Sequence, residues 1–227
     1  MSELPSLSSG QVKELDKLAT ERFGVRLDWL MEAAGWQAAR ACHGRTAVVC
    51  GVGNNAGDGL AAARHLHRWG RLEALCCIDV GRIKGEARLE LEALQRHGVV
   101  VYDELQLDGA EVILDSLFGT GLSRSPKDRF ATWIEAINAA DAHVVAVDIP
   151  SGLDSDSGVA YAPCVRADVT VTFTLPKQGM LKGDGPRLSG EVWVADIGVP
   201  FEAVAQVGVT LPPTIFAVSD VVRINRA

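Results

Sequence analysis

Apolar residues near the start of the chain recur every three or four positions, and from Thr46 onward they gather instead into short unbroken runs. The first spacing predicts helices, because side chains three and four apart share one face of an α-helix. Ser8 and Gln11 can form a capping box ahead of Val12, Leu15, Leu18 and Ala19, and Gly24 offers a stop. A second helix carries Leu27, Leu30, Met31, Ala34, Ala38 and Cys42 on one side and ends near Gly44. On that spacing, residues 31–35 read as core packing in preference to pocket lining.

The later runs are TAVVC, EALCCIDV, VVVY, EVILD, HVVAVD, VTVTF and EVWVAD. Most are apolar throughout, which predicts strands of a mostly parallel sheet covered by helices on both faces. Segments around 60–69, 86–97 and 130–139 are the expected right-handed crossover helices. The chain therefore reads as α/β. N-terminal helices span 8–43, an α/β core spans 46–200, and a tail over 201–227 packs on the body or frays. With no repeat and no long linker, 1–227 is expected to form one unit.

Composition narrows the range of partners. With 48% hydrophobic residues, a chain of 227 residues can bury a sizeable core. Its net charge of -7, without a run of lysines and arginines, argues against nucleic acid or an anionic membrane surface and favours a small molecule. The five cysteines show neither CxxC nor Cys/His ligand spacing, so they read as reduced core thiols of a cytoplasmic protein. No export signal or membrane-length apolar run is visible.

In open parallel sheets, ligands sit at the carboxyl ends of the strands, so the loops that follow the strands carry the candidate chemistry. Three such loops place glycine beside a carboxylate or hydroxyl: GVGNNAGDG at 51–59, DSLFGTGLSR at 115–124 and VDIPSGLD at 147–154. In the first, Asn54, Asn55 and Asp58 supply oxygens as well as donors, while Ala56, Gly57 and Gly59 leave the backbone accessible, so a phosphate and a cation could share the loop. A plain turn that starts a helix is the alternative. In the second, Asp115 ends a strand, and Gly119, Thr120, Gly121, Ser123 and Arg124 offer amides, hydroxyls and a positive charge to a pyrophosphate. In the third, Asp148 closes a buried strand at a position suited to proton transfer, and Pro150 stiffens the turn that presents Ser151. Asp154 and Asp156 read as solvent-side turn residues, and Lys177 either reaches a ligand phosphate or points to water.

Gly51, Gly53 and Ala56 also satisfy G-x-G-x-x-A, with Asp79 where a ribose-binding acid could lie, but a lone match is a weak sign of a dehydrogenase. His65 and His67 diverge on a helix, and all five histidines read as surface or helix-end residues.

Five blocks in order carry a more specific likeness: LMEAAG at 30–35, GVGNNAGDG at 51–59, DSLFGTGL at 115–122, VDIPSGLDSDSG at 147–158 and ADVTVTFTLPKQGML at 167–181. In these the chain resembles the YjeF N-terminal-domain family, whose enzymatic members are NAD(P)H-hydrate epimerases. The resemblance implies a Rossmann-like three-layer αβα sandwich and the interconversion of the R and S epimers of NADHX and NADPHX, a repair of damaged nicotinamide cofactors. It places the substrate on Asn54, Asn55, Ala56, Gly57 and Asp58, on Gly119, Thr120, Gly121, Leu122, Ser123, Arg124 and Ser125, and on Asp148, the expected catalytic residue. It places one potassium ion on Asn55, Asp115 and Ser151. It further implies a homodimer, and a dehydratase acting on one epimer as a separate protein. Ala56 stands where the family has glycine, which is accommodated if that residue keeps a negative φ, and Ala33 stands where the family has asparagine. A non-catalytic nucleotide-binding or protein-interaction module of the same fold is the alternative.

Overall fold

A computed structural model describes residues 4–212 and 214–224. The capping box forms at the start of α1 (Ser9–Glu21): Ser8 Oγ accepts from the Gln11 amide at 3.2 Å, and Gln11 Oε1 accepts from the Ser8 amide at 2.9 Å. The second amphipathic stretch becomes α2 (Leu27–Ala41). The apolar runs become parallel strands: β1 (Thr46–Cys50), β2 (Leu72–Cys77), β3 (Val101–Tyr102), β4 (Val112–Ser116), β5 (His143–Val147), β6 (Val169–Phe173) and β7 (Glu191–Ala195). The helices between and after them are α3 (Asn54–Arg68), α4 (Gly85–Arg96), α5 (Asp128–Ala139), α6 (Gly185–Leu188) and α7 (Phe201–Gln206).

The tail does more than pack loosely. It supplies α7, whose Ala203 and Val204 share an apolar cluster with Leu15 and Ala19 of α1, and an eighth strand, β8 (Val221–Ile224), antiparallel to β7. The sheet order is β3-β2-β1-β4-β5-β6-β7-β8. From β1 the chain winds outward through β2 to β3, then returns to the other side of β1 as β4. The loops leaving β1 and β4 therefore part from each other and open a crevice, the usual ligand position in a doubly wound sheet.

Strand side chains alternate between two cores. Val48, Leu75 and Leu114 meet Met31, Leu60 and Leu91 of α2, α3 and α4, while Val49, Ile113 and Ala146 meet Trp133, Ile134 and Ile137 of α5. This is a Rossmann-like three-layer αβα sandwich. The α2–α3 contact depends on small residues: a Cβ on Gly35 would lie 2.4 Å from Ala61 Cβ and 2.7 Å from the Ala62 amide nitrogen.

Two tethers hold the N-terminal segment against the carboxyl ends of the strands. The Leu7 amide donates to Pro176 O at 2.9 Å, and Leu7 O accepts from the Gln178 amide at 3.0 Å. The Ser9 amide and hydroxyl donate to the two Asp156 oxygens, each at 2.6 Å. Asp156 is thus an anchor for α1 and not the free turn residue its sequence context suggests. Among the described residues, no helix is long and apolar enough to cross a membrane.

Candidate active site

The helix after β1 begins six residues earlier than the periodicity predicts. Residues 54–58 form the opening of α3 and are not a loop. Asn, Gly and Asp are poor helix formers, and tertiary packing overrides that preference. A Cβ on Gly57 would strike Met31 Cε at 2.4 Å, and one on Gly59 would strike Ser116 Oγ at 2.0 Å, so these glycines let α3 settle against α2 and β4. They serve packing, where the sequence suggested backbone access for a ligand. Ala56 takes helical backbone without strain, is fully buried, and has its amide bonded to Gly53 O at 3.0 Å; the Gly57 amide reaches the same oxygen at 3.4 Å. Ala56 and Gly57 therefore lie under the site. Asn54, Asn55 and Asp58 line it.

These three residues share a cleft of about 1090 Å³ with Gly119, Thr120, Gly121, Leu122, Ser123, Arg124 and Ser125 of the loop after β4, and with Asp148 after β5. The first turn of α3 points two amides, those of Asn54 and Asn55, outward without intrahelical partners, an arrangement suited to a phosphate. Met31 and Ala34 of α2 are both buried and cleft-lining, so the stretch read as core serves both purposes. Asp79 is exposed and outside the cleft, which removes the ribose-binding role that the glycine pattern suggested. A smaller cavity of about 630 Å³ lies among Trp69, Arg71, Trp193 and Arg223, away from the strand-end loops.

Beneath the cleft is a sealed polar cluster. Asp115 and Ser151 are fully buried. Asp115 Oδ1 accepts from the Leu117 amide at 3.1 Å and from Ser151 Oγ at 2.7 Å, and Oδ2 accepts from the Ser151 amide at 2.9 Å. Ser151 Oγ in turn accepts from the Phe118 amide at 2.9 Å, and Phe118 O accepts from Asn55 Nδ2 at 3.0 Å. Burial pushes the Asp115 carboxyl up to about 6, against the pull of its hydrogen-bond donors. Asn55 Oδ1 is buried with no hydrogen-bond partner. The cluster thus combines one desolvated carboxylate with an amide oxygen that no donor among the described residues reaches.

Asp148 sits where β5 gives way to a turn, at φ 66°, and Thr174 makes a similar left-handed bend after β6 at φ 65°. Such values are uncommon for residues with a Cβ, and they cluster where a fold presents functional groups. Lys177 neither reaches outward nor points to water: it is 2% exposed and forms an ion pair with Asp148 Oδ1. Its Nζ also donates to Thr172 Oγ1 at 2.9 Å and Phe173 O at 3.2 Å, while Thr172 Oγ1 donates to Asp148 Oδ1 at 3.3 Å.

Asp16 of α1, which no motif marks as a site residue, also lines the cleft. The signal was there, since Val12, Leu15, Asp16 and Ala19 occupy an i, i+3, i+4, i+7 stripe in which a carboxylate is out of place. Asp16 is exposed in the open cleft; the desolvation it does undergo, reinforced by Asp148 and opposed by Lys177, raises its carboxyl above the usual range. Among the histidines, His65 departs from expectation. It is buried between Trp36 and Trp69, with Nε2 3.0 Å from Glu32 Oε1, far from the strand-end loops.

The sequence profile of a family described as YjeF-related protein N-terminus matches residues 27–179, a span that takes in all three strand-end loops. The chain belongs to that YjeF-related family. An NAD(P)H-hydrate epimerase of Rhodopirellula baltica is 36% identical over 219 residues, covering 91% of this chain and 90% of the relative. A bifunctional NAD(P)H-hydrate repair enzyme of Thermofilum pendens is 40% identical over 206 residues, covering 84% of this chain. The matched part is 39% of that relative, so the chain spans about two fifths of the bifunctional protein's length. The crystal structure of yeast ynu0, YNL200c, shares the fold with a TM-score of 0.83 and 23% identity, over 97% of this chain and 100% of the yeast chain.

Proposed function

We propose that this YjeF-family chain is an NAD(P)H-hydrate epimerase, an isomerase that interconverts the R and S forms of NADHX and NADPHX. The observation that carries the reading is the convergence of Asp148, the α3 N-terminus and the glycine-rich loop 119–125 on one cleft at the switch point of the sheet. Its volume of about 1090 Å³ accommodates a dinucleotide. The α3 amides and Arg124 supply donors and charge for a pyrophosphate, and the nicotinamide end lies against Asp148. The hydrate carries a hydroxyl on C6, next to ring nitrogen N1. Asp148 accepts the hydroxyl proton as the C6–N1 bond opens, and returns it when the ring closes on the other carbonyl face. No hydride moves, so the dinucleotide is substrate and not a redox cofactor.

The oxygens of Asn55, Asp115 and Ser151 fit a potassium ion. Amide, carboxylate and hydroxyl oxygens suit a hard cation, a single carboxylate suits a monovalent one, and Asn55 Oδ1 has no other partner. When bound, the ion neutralises the buried carboxylate and fixes the loop after β4. Asp115 titrates near 6 when folded and near 4 when unfolded. Its raised value means that its contribution to stability is full below about pH 4 and is lost as pH rises through 6. Potassium favours the ionised form, so its stabilising increment grows across that window. Melting temperatures with potassium chloride, compared with tetramethylammonium chloride at equal ionic strength, are expected to differ more at pH 8 than at pH 5. At about a hundred times its Kd the ion contributes about 2.7 kcal/mol. Equal increments at both pH values would contradict Asp115 as a ligand.

The function is tested by coupling. With a dehydratase that consumes one epimer, a mixed NADHX preparation should be consumed completely and rapidly only when this chain is added. Slow consumption of the second epimer at the spontaneous rate, with the chain present, would refute the reading.

A further inference from the structure

Building on the epimerase reading, we propose that Asp58 is a second catalytic residue, the acid that protonates N1 as the ring opens, and that Lys177 is the positioning residue that reserves Asp148 for the base. Ring opening demands such a group. As the hydroxyl proton passes to Asp148, the C6–O bond becomes a carbonyl, the C6–N1 bond breaks, and its electron pair stays on N1. That nitrogen needs a proton, and Asp148 has just taken one from the oxygen. With Asp58 as donor the step balances. Rotation about C5–C6 presents the other carbonyl face, N1 attacks it and returns its proton to Asp58, and Asp148 gives its proton back to the oxygen. Both carboxyls end as they began, and no co-reactant is consumed.

The geometry separates the two acids. Both line the cleft, Asp58 from α3 after β1 and Asp148 from the turn after β5, on either side of the loop that leaves β4. Asp148 is held by the buried Lys177 ammonium, whose other protons go to Thr172 Oγ1 and Phe173 O, so that ammonium is fixed in place. Among the described residues, no ion pair or hydrogen-bond donor reaches the Asp58 carboxyl, which is half-buried on α3. The charged groups facing it are Asp148 after β5, Asp16 of α1 and Lys177 after β6. Burial, then Asp148, then Asp16 push the Asp58 carboxyl well above the usual carboxylate range, and Lys177 pulls the other way. Two carboxyls in one cleft, one paired with a fixed ammonium and the other with no ion-pair partner and pushed toward its protonated form, supply a base and an acid.

The test is the pH profile of kcat and kcat/KM on a single resolved NADHX epimer. The unmodified chain should lose activity along an alkaline limb set by Asp58. Asp58→Asn, which keeps size and polarity, should lower kcat roughly 100- to 10,000-fold with KM little changed, and should abolish the alkaline limb. Asp16→Asn removes a like charge facing Asp58 and should move the alkaline limb to lower pH. Lys177→Gln should lower kcat with KM little changed, and Lys177→Arg, which restores the positive charge beside Asp148, should recover part of the loss, a recovery that lost packing alone would not give. Wild-type turnover, or a retained alkaline limb, in Asp58→Asn overturns the proposal. If circular dichroism shows that variant unfolded, an unmoved alkaline limb in Asp16→Asn overturns it instead. An unmodified chain that is folded and does not epimerise at all would sink the functional reading itself, a separate result.

Discussion

Asp148→Asn is expected to slow epimerisation roughly 100- to 10,000-fold, the range that a positioned general base contributes. Asparagine is the informative replacement because it tolerates the left-handed φ of 66° at this position and still accepts a hydrogen bond from Thr172 or Lys177. What it lacks is a basic oxygen and a negative charge. The second loss has its own consequence. Lys177 is 2% exposed, and its ammonium would be left buried without a counter-charge. Removing one partner of a buried pair destabilises by about 3–5 kcal/mol, and the retained hydrogen bonds should keep this case at the lower end. The variant should therefore be slow, and should melt earlier while remaining folded. Initial rates measured well below its melting temperature separate the two effects. A folded Asp148→Asn protein with undiminished turnover would remove Asp148 from the mechanism.

Asp115→Ala is expected to be the most destabilising single change in the site. The carboxylate receives three hydrogen bonds, two of them from the buried amides of Leu117 and Ser151. Alanine supplies no acceptor, and each orphaned buried donor costs about 1–3 kcal/mol. Two amides and a hydroxyl together approach the whole stability of an ordinary domain, about 5–15 kcal/mol. The urea midpoint by circular dichroism should fall steeply, and the potassium-dependent rise in melting temperature should vanish. Ser151→Ala should cost less, because Asp115 keeps both backbone donors and only the Phe118 amide is orphaned. A midpoint in Asp115→Ala close to that of the unmodified chain would mean that the sealed cluster does not hold the loop after β4.

How much of this was legible in the sequence depended on whether local chemistry and tertiary packing agreed. The seven apolar runs declared the parallel strands, since a strand buried on both faces has little choice but to be apolar throughout. The capping box at Ser8 and Gln11 placed the start of α1 to the residue, because it is a purely local contact. Residues 54–58 failed for the opposite reason. Their propensity is for a turn, and what makes them helical is Gly57 against Met31 and Gly59 against Ser116, contacts between segments far apart in sequence. The eighth strand hid behind LPPT and is a short, half-exposed edge, with no apolar run to announce it.

The same division governs the site. Family motifs brought Asn54, Asn55, Asp58, Asp115, Asp148, Ser151 and residues 119–125 into view together, and in the fold they occupy one crevice and the polar cluster beneath it. Lys177 looked undecided because its partners, Asp148 and Thr172, are contributed by different strand ends. Asp16 announces itself in the sequence only as a carboxylate in an apolar stripe, and its place at the cleft is set by the tethers at Leu7 and Ser9, which no local pattern encodes.

Epimerisation requires the chain to act on the C6 centre of a hydrated nicotinamide dinucleotide, and reverse-phase chromatography of a single resolved NADHX epimer tests that most directly. The epimer is incubated with purified protein in potassium-containing buffer and followed against its slow spontaneous interconversion. The other epimer should appear at a rate proportional to protein concentration, approaching the same equilibrium ratio as the uncatalysed reaction, with no oxidised or dehydrated dinucleotide formed. A folded protein that leaves the interconversion at its spontaneous rate would contradict the epimerase reading.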